Sequence, residues 1–188
     1  MRSHVAKFRR NHAVIAAVLI PTVLAFSAAL ANAQEEPPPA SEVVDFSALL
    51  PLLPEGPAGW IADKPEGSTE DVGGFKITNV HRDYKKGDAD NAPTTSISIL
   101  DSAANPEYVA ATTAAWNSNA ENMEGYTKSV TIDGLPGFET FENEGKHGTL
   151  WVMVAKRYFL QIETRGQEAK ELREWIKRID LKKLAEIK

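Results

Sequence analysis

The sequence predicts an α+β fold, a mainly antiparallel sheet with helices packed on both faces in α/β/α sandwich layering. Three observations predict it. The extended segments of the second half follow one another through tight turns, the connection that antiparallel neighbours use. Helical segments follow Asn105 and Gly166. The stretch "TLWVMVA", residues 149–155, is apolar on both sides, and a strand of that kind needs cover on both faces.

The elements follow in chain order. "VVDFSALLPLLPEGPAGW" is apolar but broken by Pro51, Pro54 and Pro57, so one or two helical turns over 45–50 should give way to an irregular path that docks Trp60. A first strand covers 75–85, and Gly87-Asp88-Ala89-Asp90-Asn91 is a turn cluster. In "TTSISILDS", Thr95, Ile97 and Ile99 alternate with Ser96, Ser98 and Leu100, which gives a second strand with one apolar face. Asn105 followed by Pro106 is a helix start. Tyr108, Thr112, Ala115, Trp116, Asn119 and Met123 then fall on one helical face, which Gly125 ends.

Val130 and Ile132 lead into Asp133-Gly134, a tight-turn pair, and the chain returns as a strand over 138–143. The two-sided strand over 150–155 should be central. The next strand carries Tyr158, Leu160 and Ile162 on one face. Its other face, Arg157, Phe159, Gln161 and Glu163, is mostly polar and should be partly uncovered. After Gly166 the helical face is Leu172, Trp175, Ile176 and Ile179, and Asp180 caps a last turn carrying Leu184 and Ile187.

The N-terminus predicts export. Arg2, Lys7, Arg9 and Arg10 precede a long apolar run that ends at Ala31-Asn32-Ala33. Those are the three parts of a secretory signal peptide over 1–33, with cleavage after Ala33. Pro21 interrupts the run, which favours cleavage over a membrane anchor. Residues 34–42, acidic and proline-rich, form a tether, and 43–188 form a single α+β domain.

Cysteine is absent, which removes a disulfide scaffold, a thiolate metal site and a lipid-bearing cysteine together. Loss of the signal leaves 17 basic against 26 acidic residues, net −9. That balance disfavours nucleic acid and anionic membranes as partners.

The strand order, the hairpin "VTIDGLPGFETF", the pair "LWVMVAKRYFLQIE" and the closing "IDLKKLA" together resemble the PsbP-like family of small secreted domains, over about Gly73 to Leu184. The resemblance implies the α+β fold and an accessory or binding role. It implies no catalytic residues.

The search for chemistry yields little. His81 and His147 are the histidines outside the signal. Ser96 or Ser98 with His81 and Asp83 could form a triad in space, but no Gly-x-Ser-x-Gly elbow accompanies them. Asp88, Asp90 and Asn91 lack the remaining ligands of a calcium loop, and two histidines make half a zinc site. The glycine pairs match no phosphate loop, and Lys177, Arg178, Lys182 and Lys183 complement a helix end. No catalytic residue, metal or cofactor is assigned.

Trp116, Trp151 and Trp175 fall on core faces by period, with Tyr158 beside them. Trp60 in its proline-glycine loop and Phe159 on a polar strand face are the aromatics left over, and they are the candidate partner-binding residues. The expected function is a non-enzymatic periplasmic or secreted accessory domain that contacts a protein partner. The alternatives are a small-ligand carrier with a pocket between sheet and helix, and a small hydrolase or lyase using His81 or His147.

Overall fold

A computed structural model describes residues 42–72, 75–103 and 105–188. The expected signal peptide over 1–33 and most of the expected tether over 34–42 lie outside the described residues. Among the described residues no helix is long and apolar enough to cross a membrane.

Nine strands form one sheet: β1 (Ile61–Ala62), β2 (Glu66–Val72), β3 (Phe75–Lys85), β4 (Thr94–Asp101), β5 (Ala120–Glu121), β6 (Gly125–Ile132), β7 (Leu135–Glu142), β8 (His147–Val154) and β9 (Tyr158–Arg165). Their order is β1-β3-β4-β9-β8-β7-β6-β5, and β2 also pairs with β3. Every described pairing is antiparallel. The helices are short: α1 (Phe46–Leu49), α2 (Pro106–Ala114), α3 (Glu171–Ile176) and α4 (Leu181–Glu186).

The register explains the core. On one face, Val80, Ile99, Leu160 and Val152 stand in a row across four strands, and Ile97, Ile162 and Leu150 stand in the next. All seven are fully buried. They pack with Leu49 from α1, with Leu172, Trp175 and Ile176 from α3, and with Leu184 from α4. Burying each such aliphatic side chain contributes roughly 1.5–3 kcal/mol, so these rows hold the domain together. Gly148 belongs to the same face because a side chain there would press on Leu172 Cδ1, 3.0 Å from an added Cβ, and push α3 away.

The opposite face carries a smaller cluster of Trp116, Met153 and Phe159, with Leu100, Val109, Phe138 and Trp151 at its margin. Met153 is buried but Trp151 is only partly so. β8 is therefore interior and apolar on both sides, as its sequence predicts, with the second side covered incompletely at Trp151.

Three departures from the sequence reading have physical causes. β2 was not foreseen. Its sequence "EGSTEDV" has no apolar alternation, because an edge strand pairs on one side only and is kept charged there. The helix after Asn105 stops at Ala114, followed by a 3-10 turn over Ala115–Asn117, well short of Gly125. Of the face expected on it only Trp116 is buried, while Tyr108 is 48% exposed and Met123 95%. The segment after Trp116 is polar, and its side chains bond backbone instead of continuing the helix. Asn119 Oδ1 accepts from Ser129 N–H at 3.0 Å, and Asn122 Oδ1 accepts from Glu124 and Gly125 N–H at 2.8 and 3.0 Å. Finally, Ala155 leaves the strand for the turn between β8 and β9.

That turn is strained. Ala155 and Lys156 both have φ of +54°, a left-handed pair closed by Arg157 N–H to Val154 carbonyl at 3.0 Å. Such two-residue turns favour Asn-Gly, and the β6–β7 turn meets that preference with Asp133-Gly134. Ala155→Asn with Lys156→Gly is expected to stabilise the domain by about 1 kcal/mol. Urea unfolding of the variant checks this, and an unchanged or lower midpoint would mean that the turn stores no strain.

Candidate functional site: a charged trough on the open half of the sheet

The second sheet face divides in two. One half lies under the Trp116–Phe159 cluster. The other is an array of polar side chains set by the strand register. His81, Ser98 and Gln161 stand in one row across β3, β4 and β9. Asp83, Ser96, Glu163, Thr149 and Thr140 stand in the next, and Lys85, Thr94 and Arg165 in a third. A trough of about 370 Å³ runs over the β3, β4 and β9 parts of the second and third rows, lined by Asp63, Asp83, Lys85, Ser96, Glu163 and Arg165 among others.

Glu163 organises the array. Its Oε1 lies 2.7 Å from Arg165 Nη2 and 3.0 Å from His147 Nε2, while His147 Nδ1 is 3.8 Å from Glu142 Oε2. Partial burial raises the Glu163 pKa, but the bonds and charges of Arg165 and His147 outweigh it and hold the carboxyl below its ordinary 4.5. A carboxyl held down by folding contributes stability above its unfolded pKa and loses it as pH falls through the lower folded value. The stability difference between the native chain and Glu163→Gln is therefore expected to shrink as pH drops below 4.5. Urea titrations at pH 7 and pH 3 measure it. An equal difference at both pH values would mean that the Glu163 contacts do not persist in solution.

The structure also tests the triad geometry. It does bring Ser98 opposite His81 and Ser96 opposite Asp83 on one face. Asp83, however, makes no described hydrogen bond or ion pair with His81. The acid nearest His81 is Glu66, at 3.8 Å and exposed. No described hydrogen bond joins His81 to either serine. His81 and His147 do not meet either. β4 and β9 separate their strands, roughly 14 Å at about 4.8 Å per spacing. Among the described residues no group of three or more His, Asp or Glu is placed to hold a metal ion.

Of the two candidate contact residues, neither is a free ring. Phe159 is 7% exposed, and the rings of Trp116 and Tyr108 meet it edge-on with centroids 6.1 and 5.6 Å away. It is apolar on a polar strand face because its own end of that face is covered. Trp60 is half-buried and meets Trp175 edge-on at 5.0 Å. Its loop is tied down by Arg82 and Tyr84, which both donate to the Pro54 carbonyl. Both rings pack within the domain, Phe159 enclosed and Trp60 with part of its surface still exposed.

Two carboxylates that the sequence did not single out are buried. Asp101, fully enclosed, takes a bidentate pair from Arg157 at 2.8 and 2.7 Å and the N–H groups of Val44 and Ala103 at 2.8 and 3.0 Å. Arg157 also donates to the Glu42 carbonyl, so the pair fastens the start of the domain to the sheet. Glu139, 3% exposed, accepts from the Tyr126 hydroxyl at 2.6 Å and lies 3.1 Å from Lys128 Nζ and 2.6 Å from Arg173 Nη2. Both are compensated ion clusters. No sequence signal marks them, because their partners are distant in the chain.

No known protein family, curated protein or solved structure matches this chain.

Proposed function

We propose that the chain is a non-enzymatic accessory domain, exported by its first 33 residues, that holds a protein partner against the open half of its sheet. In this reading α2 and the remaining helices complete the α/β/α layering, and the α2 side leaves only the trough uncovered. The observation that carries it is the charged array itself. Asp83 and Glu163 stand in one row of the sheet, and Lys85 and Arg165 stand in the next, so the sign of charge changes from row to row. Such an array reads a complementary surface and gives selectivity more than bulk affinity. The resemblance to PsbP-like domains points to the same class of role.

The competing reading is a small hydrolase or lyase using His81 or His147, and one paired experiment separates the two. The native exported protein is used as bait in its own compartment extract. Asp83→Lys with Glu163→Lys is expected to lose the captured partner at an unchanged melting temperature. His81→Gln with His147→Gln is expected to keep it. A general base contributes about 10²–10⁴-fold to a rate, so an enzyme that depends on either histidine could not hide the loss. If the histidine variant stays folded but loses function while the charge-reversed variant retains it, the catalytic reading replaces this one.

A further inference from the structure

We propose that the partner seated on the open half of the sheet is a second copy of this chain, docked face to face about a two-fold axis parallel to the rows. The inference rests on the reading of that face as a contact surface and names what it contacts. The register supplies the geometry. Asp83 and Glu163 share one row with Ser96 between them, and Lys85 and Arg165 share the next with Thr94 between them. Alternation puts all six on the face opposite the fully buried Val80, Ile97 and Ile162. The two rows lie roughly 6.6 Å apart along the strands, and the charges within each row roughly 9.6 Å apart across them.

A pattern of this kind is its own complement. A half-turn about an axis between the rows lays each strand antiparallel over its counterpart and exchanges the rows. Asp83 then faces Lys85 of the second copy, and Lys85 faces its Asp83. Glu163 and Arg165 exchange in the same way, the reciprocal contact of a two-fold interface. A partner with one sign of charge would be held by one row and repelled by the other. On β8 and β7 the exchange sets His147 and Glu142 against Thr149 and Thr140, so no like charges meet there. The charges on β3 are available for this. Glu163 and Arg165 already pair within one copy at 2.7 Å, whereas no side-chain ion pair among the described residues includes Asp83 or Lys85.

The layout of the face agrees. The cover over Leu100, Phe159 and Met153 stands two rows from Asp83 and Glu163, on the side away from Lys85 and Arg165. The half-turn therefore carries each cover past the strand ends of the other copy and not onto its floor. That floor is small. Four strands by three rows give about 400 Å² per copy, against the ~800 Å² that each partner gives to a standard interface. Asp63 at the margin of the trough adds an acid with no basic counterpart. Both features make the dimer weak and dependent on concentration.

Sedimentation of the exported protein up to about 1 mM, in about 20 mM and about 300 mM salt, tests this. A monomer–dimer equilibrium is expected, with a dissociation constant on the order of 100 μM at the lower salt. It should weaken about tenfold at the higher, because exposed ion pairs are screened. Asp83→Lys with Glu163→Lys makes both rows cationic, and Lys85→Glu with Arg165→Glu makes both anionic. Each variant alone should stay monomeric, and an equimolar mixture should dimerise at least as tightly as the native chain. Where a Glu163 or Arg165 variant does not fold, Asp83→Lys and Lys85→Glu serve as single changes, since neither breaks an ion pair within one copy. A native chain monomeric throughout, a dimer that both variants keep, a folded mixture that stays monomeric, or association that salt strengthens would each overturn the proposal. Capture from the extract separates this failure from failure of the contact face itself. If the native chain is monomeric but captures a different protein that Asp83→Lys with Glu163→Lys releases, the face is a contact surface and only the second copy is wrong.

Discussion

Replacing Asp101 with alanine is expected to cost about 3–5 kcal/mol of stability, the range for removing one partner of a buried ion pair. The carboxylate is fully enclosed and serves four donors at once: two from Arg157 and one each from the backbones of Val44 and Ala103. Its loss strands the Arg157 guanidinium, whose side chain is 18% exposed, and leaves two backbone N–H groups without their acceptor. The start of the domain should loosen as well, because Arg157 also donates to the Glu42 carbonyl and the Asp101 carboxylate anchors Val44. Two measurements check this: the urea midpoint, and proteolytic susceptibility near Val44. A double change of Asp101→Leu with Arg157→Met should recover much of the loss, since it leaves no unpaired charge behind. A single-variant loss under about 1 kcal/mol would show that water already reaches the pair.

Trp175→Ala is expected to be as severe, about 3–5 kcal/mol, the range for truncating a large aromatic side chain in a core. Trp175 is 3% exposed and joins elements far apart in the chain. Its ring meets Trp60 at 5.0 Å and Tyr84 at 4.8 Å. Its Nε1 donates to Gln167 Oε1 at 3.2 Å, while Gln167 Nε2 donates to the Thr94 carbonyl and Thr95 Oγ1 at 2.6 and 2.8 Å. Truncation opens a cavity, frees Trp60 and removes the donor to a buried amide oxygen. Calorimetry gives the stability loss, and the fluorescence of Trp60 should shift to the red as its cover goes. A melting temperature within a degree or two of the native chain would place α3 outside the cooperative core. Trp60→Ser is expected to destabilise the fold as well, because its ring packs edge-on against Trp175.

β4 and β9 were legible from a two-residue apolar period, β8 from apolar residues on both of its sides and β3 from the turn residues that follow it, each within a few residues. So were the Asn105 and Asp180 caps, each of which accepts a backbone N–H three residues on. The tight turn at Asp133-Gly134 was equally clear, since Asn, Asp and Gly carry their conformational preference with them. β2 was not legible, because its cohesion comes from β3 and not from its own side chains. Nor was the trough. Its residues are scattered over β3, β4, β8 and β9, and ordinary charges on strands look like solvated surface until the register lines them up.

What the sequence determined by itself is local. It set where strands alternate, where turns and caps fall, and the lack of any thiol chemistry. Tertiary structure alone decided which aromatics are covered. Phe159 sits on a strand face whose other residues are polar, and only the arrival of Trp116 and Tyr108 from α2 and its following turn buries it. It also decided that Asp101 meets Arg157 and that His147 meets Glu163. The physical reason is range. Period, capping and turn propensity act over a few residues, whereas the partners of Asp101 and Arg157 lie 56 residues apart and come together only once the sheet has closed.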